Sequence, residues 1–277
     1  MRSQSKHCQN SQCSRGGGFW KRAFRQPAGL SLNGGWYCSP ECFEEGAASA
    51  FARLSLKAER GKSVRYRLPL GLLMLSKGLI SSQHLQEALK AQRESQKGRL
   101  GEWLRQEGIV TEEQLTTALG IQWGIPVFHM AQAAGFAECA AMAPLPIMES
   151  SQMALVHYLP NSRSLYVAFS DGIDFSALRA LEQMLNCSTQ PCVISESEMA
   201  EAYDDMRRLP RPSEAVLDCT RNPEKLAMTI REWAESNKAE NVRAAVCPEH
   251  LWVRLDNSSV VGHLLFRLPE PAPQVIA

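Results

Sequence analysis

Between Pro69 and Gln122 the apolar residues of this chain fall into the same spacing twice. PLGLLMLSKGLISSQHLQEALKAQ (69–92) and RLGEWLRQEGIVTEEQLTTALGIQ (99–122) align without a gap. Leu70/Leu100, Gly71/Gly101, Gly78/Gly108, Leu85/Leu115, Ala88/Ala118, Leu89/Leu119 and Gln92/Gln122 are identical, and Leu79/Ile109 and Ile80/Val110 are alike. A repeat of this length is one structural unit used twice. In the second copy Leu100, Trp103 and Leu104 stand at i, i+3 and i+4 on one face of a short helix. Gly108 occupies the place of a left-handed C-cap, and Thr111 to Gln114 makes a capping box for a second helix that buries Leu115, Ala118 and Leu119. Each copy reads as helix, glycine stop, helix. An early glycine and a closing glutamine add little to helix packing. A glycine without Cβ lets another molecule approach the backbone, and a duplicated site suits a ligand that is itself two-fold.

Beyond the repeat the pattern turns α/β. ALVHYLP and SLYVAFSDG alternate as strands around a turn at Asn161-Ser162, DFSALRALEQMLN is an amphipathic helix, PCVIS a short strand, and ESEMAEAYDDMRR a helix capped by Ser195 or Ser197. A Pro/Arg linker, RRLPRPSE, leads to a long helix in NPEKLAMTIREWAESNKAE and two or three strands in VRAAVCPEHLWVRLDN and VVGHLLFRL. The expected class is α+β and multidomain: a small head (1–58) whose paired cysteines make it zinc-finger-like, a helical duplicated domain (64–135), and two small α/β domains (136–208 and 214–270).

Charge changes the picture by exclusion. With 30 basic and 29 acidic residues in 277, net charge is +1, so general polyelectrolyte binding has little to act on, and only the first 65 residues are locally basic. In that stretch SRGGGFWKRAFRQ interleaves Phe19, Trp20 and Phe24 with arginines, the one candidate nucleic-acid surface. No run of eighteen apolar residues occurs, and MRSQSKHCQNSQC lacks the apolar core of a secretory signal, so a soluble cytoplasmic protein without membrane insertion is expected.

Nine cysteines in such a chain suggest metal ligands or small core residues rather than disulfides. Cys8 and Cys13, then Cys38 and Cys42, form two pairs, the ligand set of a closed structural zinc site. His7 is an alternative to one of the four. The head is too short to bury a core by itself, so zinc would supply most of its folding free energy. Ser39 as N-cap and Pro40 as N1 start a helix that turns Cys42 to the metal. This second knuckle resembles that of treble-clef fingers, over residues 7–55, although the first knuckle, C-x4-C, is longer than the usual C-x2-C. Cys139, Cys187, Cys192, Cys219 and Cys247 lack knuckle context and are expected to be structural thiols.

The duplicated pattern, followed by Gly124-Ile125-Pro126, resembles the MshEN domain at the N-terminus of type II secretion and type IV pilus assembly ATPases, which binds cyclic di-GMP. That resemblance implies a ligand site of two halves: Arg99, Leu100, Gly101, Leu104, Gly108 and Gln122 in one, Leu70, Gly71, Gly78 and Gln92 in the other. An arginine can fork onto guanine O6/N7 or phosphate, leucines can lie on purine faces, and glutamine can meet a polar edge. Arg105 stands where the family has an apolar residue. The first copy opens on Pro69 instead of arginine, losing one charged hydrogen bond of roughly 1.5–3 kcal/mol, or about ten- to a hundredfold in affinity. Arg67 is the nearest basic residue upstream. SLYVAFSDGIDFSALRAL and SESEMAEAY are similar to the second N-terminal domain of the same ATPases, with Gly172 after Asp171 where the family has proline. Residues 214–268 are similar to the region before their nucleotide-binding core, with Asn241-Val242-Arg243-Ala244 in place of an acidic and histidine tetrad.

No catalytic constellation accompanies these modules. Gly61-Lys62-Ser63 has Leu56 where a phosphate-binding loop needs its first glycine. The six histidines (7, 84, 129, 157, 250, 263) are scattered, there is no nucleophile elbow or HExxH pair, and Asp204-Asp205 and Glu44-Glu45 read as solvated helix surface. The expectation is a non-catalytic regulatory protein that binds cyclic di-GMP and signals to a protein partner in a secretion or pilus machine, nucleic acid not being the expected partner. The alternative is an interaction adaptor with a decayed ligand site.

Overall fold

The computed structural model describes residues 7–13, 29–53, 68–95, 98–219, 222–257 and 261–268. Gly61-Lys62-Ser63, Arg67 and the aromatic and basic segment around Trp20 lie outside them. In chain order the first elements are β1 (Leu30–Leu32), β2 (Gly35–Tyr37) and α1 (Pro40–Arg53). The repeat follows as α2 (Leu70–Ser76), α3 (Ser82–Ser95), α4 (Leu100–Gln106) and α5 (Glu112–Trp123). Next come α6 (Phe136–Ala140), α7 (Leu145–Ser150), β3 (Met153–Leu159), β4 (Ser164–Phe169), α8 (Phe175–Leu185), β5 (Ser188–Val193) and α9 (Glu196–Arg208). The last are β6 (Ser213–Asp218), α10 (Pro223–Ser236), β7 (Asn241–Val246), β8 (His250–Asp256) and β9 (Val261–Arg267). The chain is thus of mixed α and β type, and no described helix is long and apolar enough to cross a membrane.

Two compact units divide it, one of residues 1–60, 179–185 and 210–277, the other of 61–178 and 186–209. The first is built on a six-stranded mixed sheet in the order β2-β1-β7-β8-β9-β6. Asn33 and Gly34, both at positive φ, close a two-residue hairpin between β1 and β2, the loop that an Asn-Gly pair favours. β1 then pairs in parallel with β7, Ser31 opposite Asn241 and Leu32 opposite Val242. Side chains reinforce the seam: Ser31 Oγ donates to Asn241 Oδ1 (2.6 Å), and Asn33 Oδ1 accepts from the Ala244 amide (2.8 Å).

The sequence reading gives the head and residues 214–270 separate domains, whereas the structure gives them one sheet and one core. Phe43, Ala47 and Phe51 of α1 are buried together with Leu226, Ala227 and Ile230 of α10 and with Val242, Leu251, Val253, Leu264 and Phe266 of the strands. Two three-residue strands cannot stand alone, and the apolar side of α1 has found its cover on residues about 180 positions away. Glu44, expected as solvated surface, accepts from Arg231 Nε of α10 at 2.5 Å, and Glu45 accepts from Asn10. A metal at the cysteines would therefore not have to hold the head together unaided.

Among the buried titratable side chains of this unit is a histidine of β9. His263 is 2% exposed and accepts from Trp252 Nε1 at 3.1 Å. Burial, aided by the nearby Arg254 and Arg211, lowers its pKa to about 3. A folded-state pKa below the unfolded one means that the unfolded chain binds the proton first, so stability is full above about pH 6.5 and falls on acidification toward pH 3. Urea denaturation should find the unit about 2 kcal/mol less stable at pH 5 than at pH 7 through this group. His263→Gln should remove that difference, and an unchanged pH slope in the variant would exclude His263 as its source.

The second unit joins the helical repeat to a three-stranded sheet in the order β3-β4-β5. Ser195, not Ser197, caps α9, in a reciprocal box with Glu198. Pro191, within β5, lies in an edge strand, the place where a missing N–H is tolerated. The Gly-Ile-Pro tripeptide has a packing role: Gly124 is the left-handed C-cap of α5, and Pro126 to Phe128 then bond to Val193 beside β5.

Candidate functional site

The two copies of the repeat superpose in their burial as well as in their letters. Met74 and Leu104, Ile80 and Val110, Leu85 and Leu115, and Ala88 and Ala118 share one small core. Gly78 and Gly108 take φ of +69° and +68° and end α2 and α4. Thr111 and Gln114 form their capping box, and Ser81 and His84 imitate it in the first copy.

The opening glycines have an internal purpose. A Cβ on Gly71 would lie 2.5 Å from Leu85 Cδ1 and 2.8 Å from Leu100 Cδ2, and one on Gly101 would lie 2.8 Å from Leu115 Cδ1 and 3.5 Å from Leu70 Cδ2. Each glycine thus admits the second helix of its own copy and the first leucine of the other. The glutamines cross over in the same way. Gln92 Nε2 donates to the Gly98 carbonyl (3.0 Å) and Gln122 Nε2 to the Leu68 carbonyl (2.8 Å), so each copy's last residue holds the peptide that opens the other. The expectation that an early glycine and a closing glutamine add little to packing is corrected: they lock the two copies together.

This lock sets the first residues of the two copies in equivalent places, and they differ. Arg99 is mostly exposed, with its amide donating to Glu102 (3.1 Å). Its guanidinium meets the Asp171 carboxylate and donates from Nη1 to the Asp171 carbonyl (3.1 Å). Sequence reasoning read Asp171 only as the end of a strand; the signal available was its Asp-Gly turn, which gives no hint of a partner 72 positions earlier. In the first copy Pro69 has neither guanidinium nor N–H. Around it Leu68, Leu72 and, from α5, Ile121 are about half exposed (51%, 49% and 50%). The equivalent positions around Arg99 are Gly98, Glu102 and, from α3 of the first copy, Ala91.

Among the other expected ligand residues, Leu104 is fully buried and has no surface to offer. Gly71 and Gly101 are buried, and Gly78 and Gly108 are turns in open space. Leu70, Leu100, Gln92 and Gln122 keep partial exposure beside Arg99 and Pro69. Arg105, the departure from the apolar pattern, has found Glu196 of α9 at 3.4 Å.

The four head cysteines come together. Their sulfurs all lie within 4.8 Å of one another, Cys13 and Cys38 at 3.6 Å and Cys38 and Cys42 at 3.9 Å. Tetrahedral bonds of about 2.3 Å to zinc set sulfurs about 3.8 Å apart, so the spacing fits a shared metal and not a disulfide. Gln9 donates to the Trp36 carbonyl (2.9 Å), Asn10 accepts from the Gln12 amide (2.9 Å), and Ser39 Oγ accepts from the Cys42 amide (3.3 Å), fixing both knuckles. Burial, with hydrogen bonding to Cys13, pushes Cys38 up to about 12. Burial raises Cys42 as well, but hydrogen bonds from Ser39 and Asn10 outweigh it and leave that thiol below its ordinary value. Crowded thiols of this kind compete for protons; a bound dication resolves the competition by taking all of them as thiolates. The group can hold a metal ion, and it is complete without His7. Of the remaining cysteines Cys139, Cys192 and Cys247 are buried, and burial lifts Cys139 to about 11 and Cys192 to about 12, so both stay protonated and inert.

No family model matches the chain, and no curated protein does. Among solved structures it is similar to one of MshE with cdg, at 26% identity and a TM-score of 0.44 over 50% of this chain and 99% of that one. It is also similar to two structures of the N-terminal domain of XpsE, at 16% and 18% identity and TM-scores of 0.36 and 0.30, over 49% and 47% of this chain and 91% and 89% of those. Likeness at these scores assigns no function, which has to come from the residues.

Proposed function

We propose that this protein is a non-catalytic, cytoplasmic relative of the secretion and pilus assembly ATPases, and that it binds cyclic di-GMP at the mouth of its duplicated helical domain and transmits that state to a protein partner in such a machine. The observation that carries the reading is the reciprocal lock of the two copies with Arg99 displayed beside Asp171. A two-fold scaffold suits a two-fold ligand. Arg99 and Asp171, paired with each other in the free chain, carry the donors and acceptors that a guanine would take over through its acceptors at O6 and N7 and its donors at N1 and N2. The leucines and glutamines at the same surface supply apolar contact and further polar groups. Zinc in the four-cysteine site is structural in this reading.

Calorimetric titration of cyclic di-GMP into the full chain tests it, with linear GMP as control. Micromolar or tighter binding is expected, and Arg99→Ala should weaken it ten- to a hundredfold, the value of one charge-assisted contact of about 1.5–3 kcal/mol. A folded chain that takes up no cyclic di-GMP at high concentration would sink the proposal. The exposed apolar cluster of Leu68, Leu72 and Ile121 favours a second reading in that event, an adaptor that meets protein through the first copy.

A further inference from the structure

We infer that the ligand site reads only one of two bases: it takes cyclic purine dinucleotides that carry at least one guanine, and the second purine is not distinguished. The inference rests on the cyclic-dinucleotide reading above and concerns the difference between its halves. The glycine and glutamine crossings make the halves equivalent in backbone, since Leu100 covers Gly71 as Leu70 covers Gly101, and Gln92 holds Gly98 as Gln122 holds Leu68. What faces the ligand is not equivalent. Beside Arg99 and Asp171 guanine is distinguished from adenine, because adenine replaces the O6 acceptor with an amino donor and forfeits the bidentate contact. Among the described residues beside Pro69 nothing comparable is available. Proline offers no side-chain donor and no N–H, the Leu68 carbonyl is already engaged by Gln122, and the surroundings are Leu68, Leu72 and Ile121. Apolar side chains meet the face of either purine equally well and do not read its edge.

Specificity is a difference between two affinities, and here only one half supplies it. A symmetric ligand can seat in two equivalent orientations and a mixed one in a single productive orientation, so equal contacts leave a statistical preference of about twofold for the guanine pair. The bidentate contact at Arg99 discriminates by about five- to 150-fold. The expected order is therefore cyclic di-GMP and the mixed guanine/adenine cyclic dinucleotide close together, and cyclic di-AMP well behind.

The test is calorimetric titration of those three compounds into the full chain, with Pro69→Arg and Arg99→Ala in parallel. The Pro69 backbone, φ −54° and ψ 136°, is one that arginine adopts without strain, as Arg99 does at −105° and 154°, so the first variant should fold. Supporting results are a mixed ligand within about threefold of cyclic di-GMP in the natural chain, a gap of five- to 150-fold opened by Pro69→Arg, and loss of the guanine preference in Arg99→Ala. Tight cyclic di-GMP binding with the mixed ligand more than fivefold weaker in the natural chain would overturn the inference and leave the cyclic di-GMP reading standing. Failure of all three compounds to bind would overturn both.

Discussion

If the four cysteines hold a metal as proposed, a chelator, or replacement of Cys38 by Ser, is expected to lower the melting temperature of the first unit sharply while leaving the second in place. Cys38 is the centre of the cluster, 3.6 Å from Cys13 and 3.9 Å from Cys42. In isolated zinc fingers the metal supplies about 10–16 kcal/mol of apparent folding free energy. Here the head is also buried against α10 and the sheet, so a smaller loss is expected, on the order of 3–5 kcal/mol, comparable to removal of a native staple. The loss should spread beyond the head. β1 is the neighbour of β7, and once the knuckles open, the amides of β7 that face β1 lose their cover. Hydrogen exchange with and without chelator, together with metal analysis of the purified protein, checks this. One equivalent of metal per chain and faster exchange along Asn241–Val246 are expected. A protein that carries no metal, melts identically with chelator and tolerates Cys38→Ser would remove the metal from the fold.

Phe43→Ala is expected to cost about 3–5 kcal/mol, the usual penalty for emptying a buried aromatic site. Phe43 is fully buried and meets Tyr37 edge-on, with ring centroids 5.9 Å apart. The informative quantity is which residues melt. A separate head would unfold alone and leave residues 214–268 unchanged. One shared core predicts a single destabilised transition, followed through Trp36 in β2 and Trp233 and Trp252 in α10 and β8. Two transitions, with only the head shifted, would refute the shared core.

Most elements of this protein were legible because their signals are local. The helix–glycine–helix units follow from Gly78 and Gly108, glycines that take the left-handed turn at little strain, and from the Thr111 box; the capped starts of α8, α9 and α10 follow from Asp174, Ser195 and Asn222. The Asn33-Gly34 hairpin had an equally local signal that went unread, hidden by the glycine-rich text before it. β6 had no such signal: SEAVLD is mixed in burial and becomes a strand only because β9 gives it a parallel partner. The cysteine cluster was legible for a different reason, since two spaced thiol pairs have few other uses in one short segment.

By itself the sequence determined what depends on neighbours along the chain: the duplicated unit, its caps, the two spaced cysteine pairs, and the exchange of arginine for proline between the copies. The tertiary structure decided what depends on residues far apart. It placed β1 beside β7, made α1 share the core of α10, set Asp171 against Arg99, and gave the repeated glycines and glutamines the crossings that hold the copies together. The physical reason is that a cap or a turn is satisfied within a few residues, whereas an unpaired strand edge, an uncovered apolar helix face or a charged side chain takes whichever complementary partner the fold brings close, and spacing in sequence does not name that partner.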